Sequence, residues 1–278
     1  MKNLNKTVLT GALSIALGIS ALAAPALSFA KDVVAKPTIV LVHGAFADAS
    51  SWDGVAAKLL KDGYSVIGAA NPLRSVKGDA VSVSTILKSI PGPVILVGHS
   101  YGGSVISAAA IGNDNVKGLV YVAAFAPAAG ESAGGLSAKF PGSTLGSALA
   151  APMMLPDGGK DLYIDQKKFP DQFAADVPQA KARLMAEAQR PITEAAITEA
   201  SGEPAWKNVP SWFVYGTADK NIPAEALAFM AKRANSQKTV AITGASHVVM
   251  TSHPTEVAAL IETAAGSVKQ GDMPALSR

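Results

Sequence analysis

The chain predicts an α/β domain with a mostly parallel sheet and helices on both faces. Short Val- and Ile-rich runs alternate with helical patterns after residue 36, 278 residues suit one large domain or two small ones, and 49% apolar content supports a sizeable core. The strand candidates are TIVLV (38–42), SVIGAA (65–70), VILV (94–97), LVYVAAF (119–125), WFVY (212–215) and KTVAI (238–242). Helices are expected from Ser50 or Ser51 as cap through Lys61, stopping at Gly63, and over 79–90 and 101–111, where apolar residues recur at helical spacing. Two more, over 223–234 and 254–265, each begin with proline in or next to the first turn, where its missing N–H costs nothing.

The alternation breaks between the fourth and fifth strands. From about 127 to 208, Pro, Gly, Ala and Ser accumulate around a hairpin pattern, MMLPDGGKDLYI, with helices expected near 171–188 and 191–200. That is too long for a crossover loop, and an insertion here lies above the carboxyl ends of the strands, where open α/β sheets bind ligands. It reads as a cap, and the region from 267 onward as a loose tail.

Ahead of the domain (31–278), residues 1–30 read as a signal peptide. Lys2 and Lys6 precede the apolar stretch VLTGALSIALGISALAA and the small-residue zone APALSFA. Cleavage after Ala30 fits best, with Ala23 and Ala26 as alternatives, giving an exported, periplasmic or secreted protein without a stable membrane anchor. The chain has no cysteine, hence neither disulfide nor lipid attachment through one. Without Lys2 and Lys6, the 24 lysines and arginines fall to 22 against 21 acids. This near-neutral balance, with no basic stripe, argues against nucleic acid and for a neutral or weakly charged small partner. No metal-ligand pattern is present and no cofactor is expected.

The chemistry centres on VILVGHSYGGSV, where a strand ends at Val97, a G-x-S-x-G turn follows and a small-residue helix begins. A serine in that turn has a strained backbone, and Gly98 and Gly102 remove collisions two residues to either side; Gly103 permits close helix–sheet packing. Serine needs a base, and the base needs an acceptor to fix its tautomer. Of four histidines, His99 is directed away from the elbow, His43 ends the first strand in HGAF and orients that loop, and His253 reads as a capping or packing residue and the fallback base. His247, on the loop after the last strand, is the expected base. Asp219 follows the fifth strand in YGTADKNIP, and the order Ser100, Asp219, His247 suits a nucleophile elbow. The backbone N–H groups of Tyr101 and Ala45 are the expected oxyanion donors, Gly44 allowing its loop to turn toward the serine.

With IVLVHGAFADASSWDGV, VILVGHSYGGSV, YGTADKNIP and GASHVVMTSHP in place, the chain resembles the α/β-hydrolases over about 38–265. Within them it is similar to the compact group of methylesterases, hydroxynitrile lyases and small bacterial esterases. The resemblance implies about six strands, a lid at 127–208 and hydrolysis of a small-molecule carboxylic ester or lactone through an acyl-enzyme. Hydroxynitrile lyases of that group carry threonine and lysine where this chain has Gly44 and Val248, which counts against lyase chemistry. A cofactor-free perhydrolase or haloperoxidase activity and a ligand-binding sensor are the alternatives. Phe46, Phe125, Met153, Met154 and Leu155 are the candidate pocket residues.

Overall fold

The computed structural model describes residues 36–269, so the leader read at 1–30 and the end of the tail, 270–278, lie outside the described residues. The chain runs β1 (Thr38–Val42), α1 (Asp53–Lys61), β2 (Val66–Ala69), α2 (Val76–Lys88), β3 (Val94–His99), α3 (Gly102–Ala109) and β4 (Val116–Val122). The long insertion carries α4 (Ala133–Ala138), α5 (Leu145–Ala148), β5 (Met153–Met154), β6 (Lys160–Leu162), α6 (Phe169–Phe173), α7 (Gln179–Ala188), β7 (Ile192–Thr193) and α8 (Glu194–Thr198). β8 (Ser211–Gly216), α9 (Ala224–Arg233), β9 (Lys238–Ile242), α10 (Val249–Ser252) and α11 (Pro254–Gly266) complete the described chain.

Six strands form one sheet in the order β2-β1-β3-β4-β8-β9, every neighbouring pair parallel. All residues of β3 and β8 are buried, and four of five in β1, because helices cover both faces; an unbroken apolar run therefore replaces in–out alternation. β9, at the sheet edge, is half-buried to exposed along its length, and its Lys238 and Thr239 face water. The parallel direction brings the carboxyl ends of β1, β3, β4, β8 and β9 to one edge.

Several elements depart from the sequence reading. Asp48, not Ser50 or Ser51, caps the turn before α1, its carboxylate accepting from Ser50 N–H at 2.9 Å; a 3₁₀ turn (Ala49–Trp52) then leads into the helix. α2 begins three residues earlier than expected because Ser75 accepts from Gly78 N–H. The fourth strand occupies 116–122 and not 119–125: Ala123 turns to φ +44°, and the apolar residues after it are buried loop. The helix expected over 171–188 is two, α6 and α7, separated by Ala174–Pro178, since Pro178 cannot extend a helix begun upstream. The helix expected over 191–200 is the short β7 followed by α8, because Leu162 pairs with Ile192 and Asp161 with Thr193 in the small antiparallel sheet β5-β6-β7.

The insertion docks on the sheet edge through backbone. Phe46 N–H donates to Arg190 O at 3.0 Å and Thr193 N–H to Leu73 O at 3.1 Å, while Thr193 Oγ1 donates to Arg74 O at 2.7 Å. In the core, Phe213 of β8 stacks on Tyr121 of β4 at 4.5 Å between ring centroids, nearly parallel at 15°. Phe213→Ala is expected to destabilise the fold by about 3–5 kcal/mol, through lost transfer energy and the cavity left behind. Urea unfolding monitored by circular dichroism measures it, and a change in midpoint at constant slope identifies the loss as core stability.

Candidate active site

The turn between β3 and α3 holds Ser100 at φ +53°, a region L-residues rarely occupy. Backbone bonds fix it there: Ser100 N–H donates to Val122 O at 3.3 Å, while Ser100 O accepts from Gly103 N–H at 3.0 Å and Phe125 N–H at 3.1 Å. The fold around it tolerates no extra carbon. A Cβ on Gly98 would lie 2.7 Å from the Gly102 carbonyl oxygen, and one on Gly44 would lie 2.7 Å from the Ser100 Cβ. Glycine at 44 lets the loop after β1 pass directly beside the serine.

From the other side of the sheet edge, His247 Nε2 lies 2.9 Å from Ser100 Oγ and His247 Nδ1 2.6 Å from Asp219 Oδ2. Asp219 Oδ1 accepts from the N–H groups of Asn221 at 2.7 Å and Ile222 at 3.0 Å, which fixes the carboxylate and leaves its other oxygen for the imidazole. These bonds set the histidine tautomer: Nδ1 donates to the carboxylate, so Nε2 is free to accept from the serine hydroxyl. All three side chains are buried. Among the described residues, the N–H groups of Ala45 and Tyr101 have no hydrogen-bond partner, whereas Phe46 N–H is committed to Arg190 O.

The remaining histidines support this arrangement. His43 Nδ1 donates to Gly44 O at 2.9 Å and its Nε2 accepts from Asn71 N–H at 3.2 Å, holding the loop beside Ser100; burial lowers its pKa from the usual 6.5. His99 does not reach the serine hydroxyl. Its Nε2 donates to His247 O at 3.2 Å and its ring lies 4.7 Å from that of His247, with burial and the neighbouring imidazole pushing its pKa well below 6.5. His253 makes no side-chain cap to α11; it bonds Ser252 Oγ at 2.9 Å and lies 3.5 Å from Asp176 Oδ2.

Two contributors escape sequence reasoning. Asp79 in α2 is buried and accepts from Tyr101 Oη at 2.9 Å and Arg74 N–H at 3.1 Å, anchoring the residue after Ser100; burial raises both the carboxyl and the phenol from their ordinary values. Phe173, from α6 of the insertion, sets its ring 5.0 Å from that of His247 and 6.2 Å from Phe46. Asp79 carries the signal of an acid inside an apolar helical pattern; Phe173 carries none beyond hydrophobicity.

A cavity of about 420 Å³ opens over Ser100 and His247. The sheet edge contributes Ala45, Phe46, Tyr101 and Phe125, and the insertion contributes Leu145, Leu149, Leu162, Phe173, Ile192 and Ile197; no charged side chain lines it. Met153, Met154 and Leu155 do not line this cavity. They lie on the β5–β6 hairpin, whose pairing turns Met153 (58% exposed) and Met154 (66%) outward. Among the described residues no group of three His, Asp or Glu side chains could hold a metal, and no helix is long and apolar enough to cross a membrane.

His43 and His99 give a definite acid response. Both have folded pKa values depressed below 6.5, so their contribution is complete above that value and is lost as pH falls from 6.5 toward the folded values. Each titrating histidine contributes up to about 1.4 kcal/mol per pH unit in that window. Unfolding free energies measured at intervals between pH 7 and 5 are expected to decline with acidity, with a shallower slope in His99→Gln; equal slopes for the two proteins would exclude His99.

The model of the alpha/beta hydrolase family matches residues 39–260. The carbendazim hydrolyzing esterase of Nocardioides sp. (strain SG-4G) is 35% identical over 106 residues, covering 34% of this chain and 44% of that protein. Among solved structures, polyneuridine aldehyde esterase superposes with a TM-score of 0.70 at 20% identity, over 82% of this chain and 99% of the other. An extracellular alpha/beta-hydrolase from a Paenibacillus species, described as sharing structural and functional homology with tobacco salicylic acid binding protein 2, superposes with a TM-score of 0.63 at 26% identity, over 82% and 99%. With a family match over residues 39–260, from β1 into α11, and a six-stranded parallel sheet, the chain belongs to the alpha/beta hydrolase family.

Proposed function

We propose that the protein is a serine esterase that hydrolyses small, largely uncharged carboxylic esters or lactones. The observation that carries this reading is the hydrogen-bonded chain Ser100 Oγ, His247, Asp219, at 2.9 and 2.6 Å, opening into a neutral cavity of about 420 Å³. Ser100 Oγ attacks the acyl carbon as its proton passes to His247 Nε2, and Asp219 stabilises the imidazolium. The negative charge that develops on the carbonyl oxygen is met by the N–H groups of Ala45 and Tyr101, one such donor being worth about 3 kcal/mol. His247 returns the proton to the leaving alcohol, and water, activated by the same imidazole, then releases the acid from Ser100. Apolar walls without a cation suit an uncharged ester, since an anionic one would lose its hydration there without a partner. The esterase names carried by two of the similar proteins support the same reaction class.

Short-chain nitrophenyl esters offered to the purified protein and to Ser100→Ala test the proposal. The variant is expected to lose about 10⁴-fold or more in kcat/KM, and His247→Ala a comparable factor, because the groups act as a unit. Equal rates for wild type and Ser100→Ala would remove the mechanism.

A further inference from the structure

One short helix of the insertion touches both loops that meet at Ser100. Gln172, buried in α6, donates from Nε2 to Lys220 O at 2.9 Å and Asn221 Oδ1 at 3.2 Å, while its own carbonyl oxygen accepts from Asn221 Nδ2 at 3.3 Å. Lys220 Nζ returns a bond to Asp171 O at 2.9 Å, and Thr144 Oγ1 holds Gln172 Oε1 at 2.8 Å. These contacts close on the residues immediately after Asp219, including Asn221, whose N–H holds the Asp219 carboxylate. Three residues beyond α6, Asp176 accepts a hydrogen bond from Ser246 Oγ and sits 3.5 Å from His253 Nδ1. Ser246 is buried and directly precedes His247. Between these anchors, Phe173 packs against the His247 ring.

We propose that Gln172 and Asp176 are positioning residues for the reaction: from the insertion, they hold the Asp219 and His247 loops in the relative register that aligns the imidazole between carboxylate and serine. This rests on the Ser100–His247–Asp219 reading above. The base of the mechanism sits on a loop following the edge strand β9, which has a neighbour on one side only, and α6 with its following turn supplies lateral support that the sheet lacks there. Neither residue lines the cavity, so their effect falls on the alignment of the catalytic groups and not on substrate contact.

The test uses the whole protein with nitrophenyl acetate and butyrate. Asp176→Ala and Gln172→Met are each expected to lower kcat by about tenfold to a hundredfold, the scale of a misplacement near 1 Å, with KM within about twofold of wild type. Asp176→Asn, whose Oδ1 still accepts from Ser246, is expected to recover most of the lost kcat. Ser246→Ala is expected to reproduce the kcat loss of Asp176→Ala, and the double variant to fall no further, since the Asp176–Ser246 bond is already lost in either single variant. Melting temperatures accompany every variant; if Asp176→Ala does not fold, Ser246→Ala compared with Asp176→Asn decides in its place. Unchanged kcat with lowered melting temperature, or a change confined to KM, overturns the proposal. Ser100→Ala separates the two claims: full activity there removes the triad reading itself, whereas an inactive Ser100→Ala beside fully active Gln172 and Asp176 variants removes only the positioning role.

Discussion

The backbone of Ser100, turned to φ +53° at the end of β3, is the constraint to which the rest of the molecule conforms. An L-residue in that region costs about 1–2 kcal/mol, and surrounding structure must over-determine it for it to persist. Here the surroundings are three backbone bonds, to Val122, Gly103 and Phe125, all drawn from elements that β3 and β4 place side by side. Because the strands are parallel, the same edge receives Gly44 from β1, Asp219 from β8 and His247 from beyond β9. The bend at Ala123, which ends β4 early, serves the same turn: it frees Phe125 N–H to bond the Ser100 carbonyl.

Electrostatics at this edge depend on keeping one imidazole different from two others. His43 and His99 are buried with one nitrogen committed to a backbone carbonyl, and desolvation disfavours their charged forms. Of these three, only His247 has a carboxylate on Nδ1. In the proposed reaction it must accept a proton while the ring of His99 lies 4.7 Å away, and a charge there would oppose that transfer. A neutral His99 that donates to the His247 carbonyl contributes position without charge.

What was legible in the sequence follows from which forces leave a local trace. Strands buried on both faces write themselves as unbroken apolar runs, which is why β1, β3 and β8 are found within two residues of their ends. The run 119–125 misleads for the same reason: apolarity reports burial, and Ala123, Ala124 and Phe125 are buried as loop. Ser100, Asp219 and His247 are marked by residue type and by their place after strands. The insertion leaves weaker traces. Its break at Pro178 is local and visible, but the pairing of Ile192 with Leu162 is a long-range contact no helical periodicity could disclose. Hydrophobicity alone places Met153, Met154 and Leu155 in the pocket; the register of the hairpin, which decides the face they present, is set by pairing partners and not by composition.

The insertion also qualifies the division of labour in which a sheet edge supplies chemistry and a cap supplies selectivity. The cavity follows that division: Ser100 and His247 come from the turns after the strands, and much of its apolar wall from α5, β6 and the segment 192–197. α6 does not follow it. Phe173 faces both the cavity and the His247 ring, while the residues on either side bond the loops beneath. A change in the wall that shifts α6 therefore shifts the imidazole as well, because packed side chains transmit displacement and do not absorb it. In the proposed reaction, selectivity can vary with least effect on the imidazole at Ile197, whose helix α8 bonds neither α6 nor the Asp219 and His247 loops, and less freely at Leu145, which follows Thr144 and its bond to Gln172.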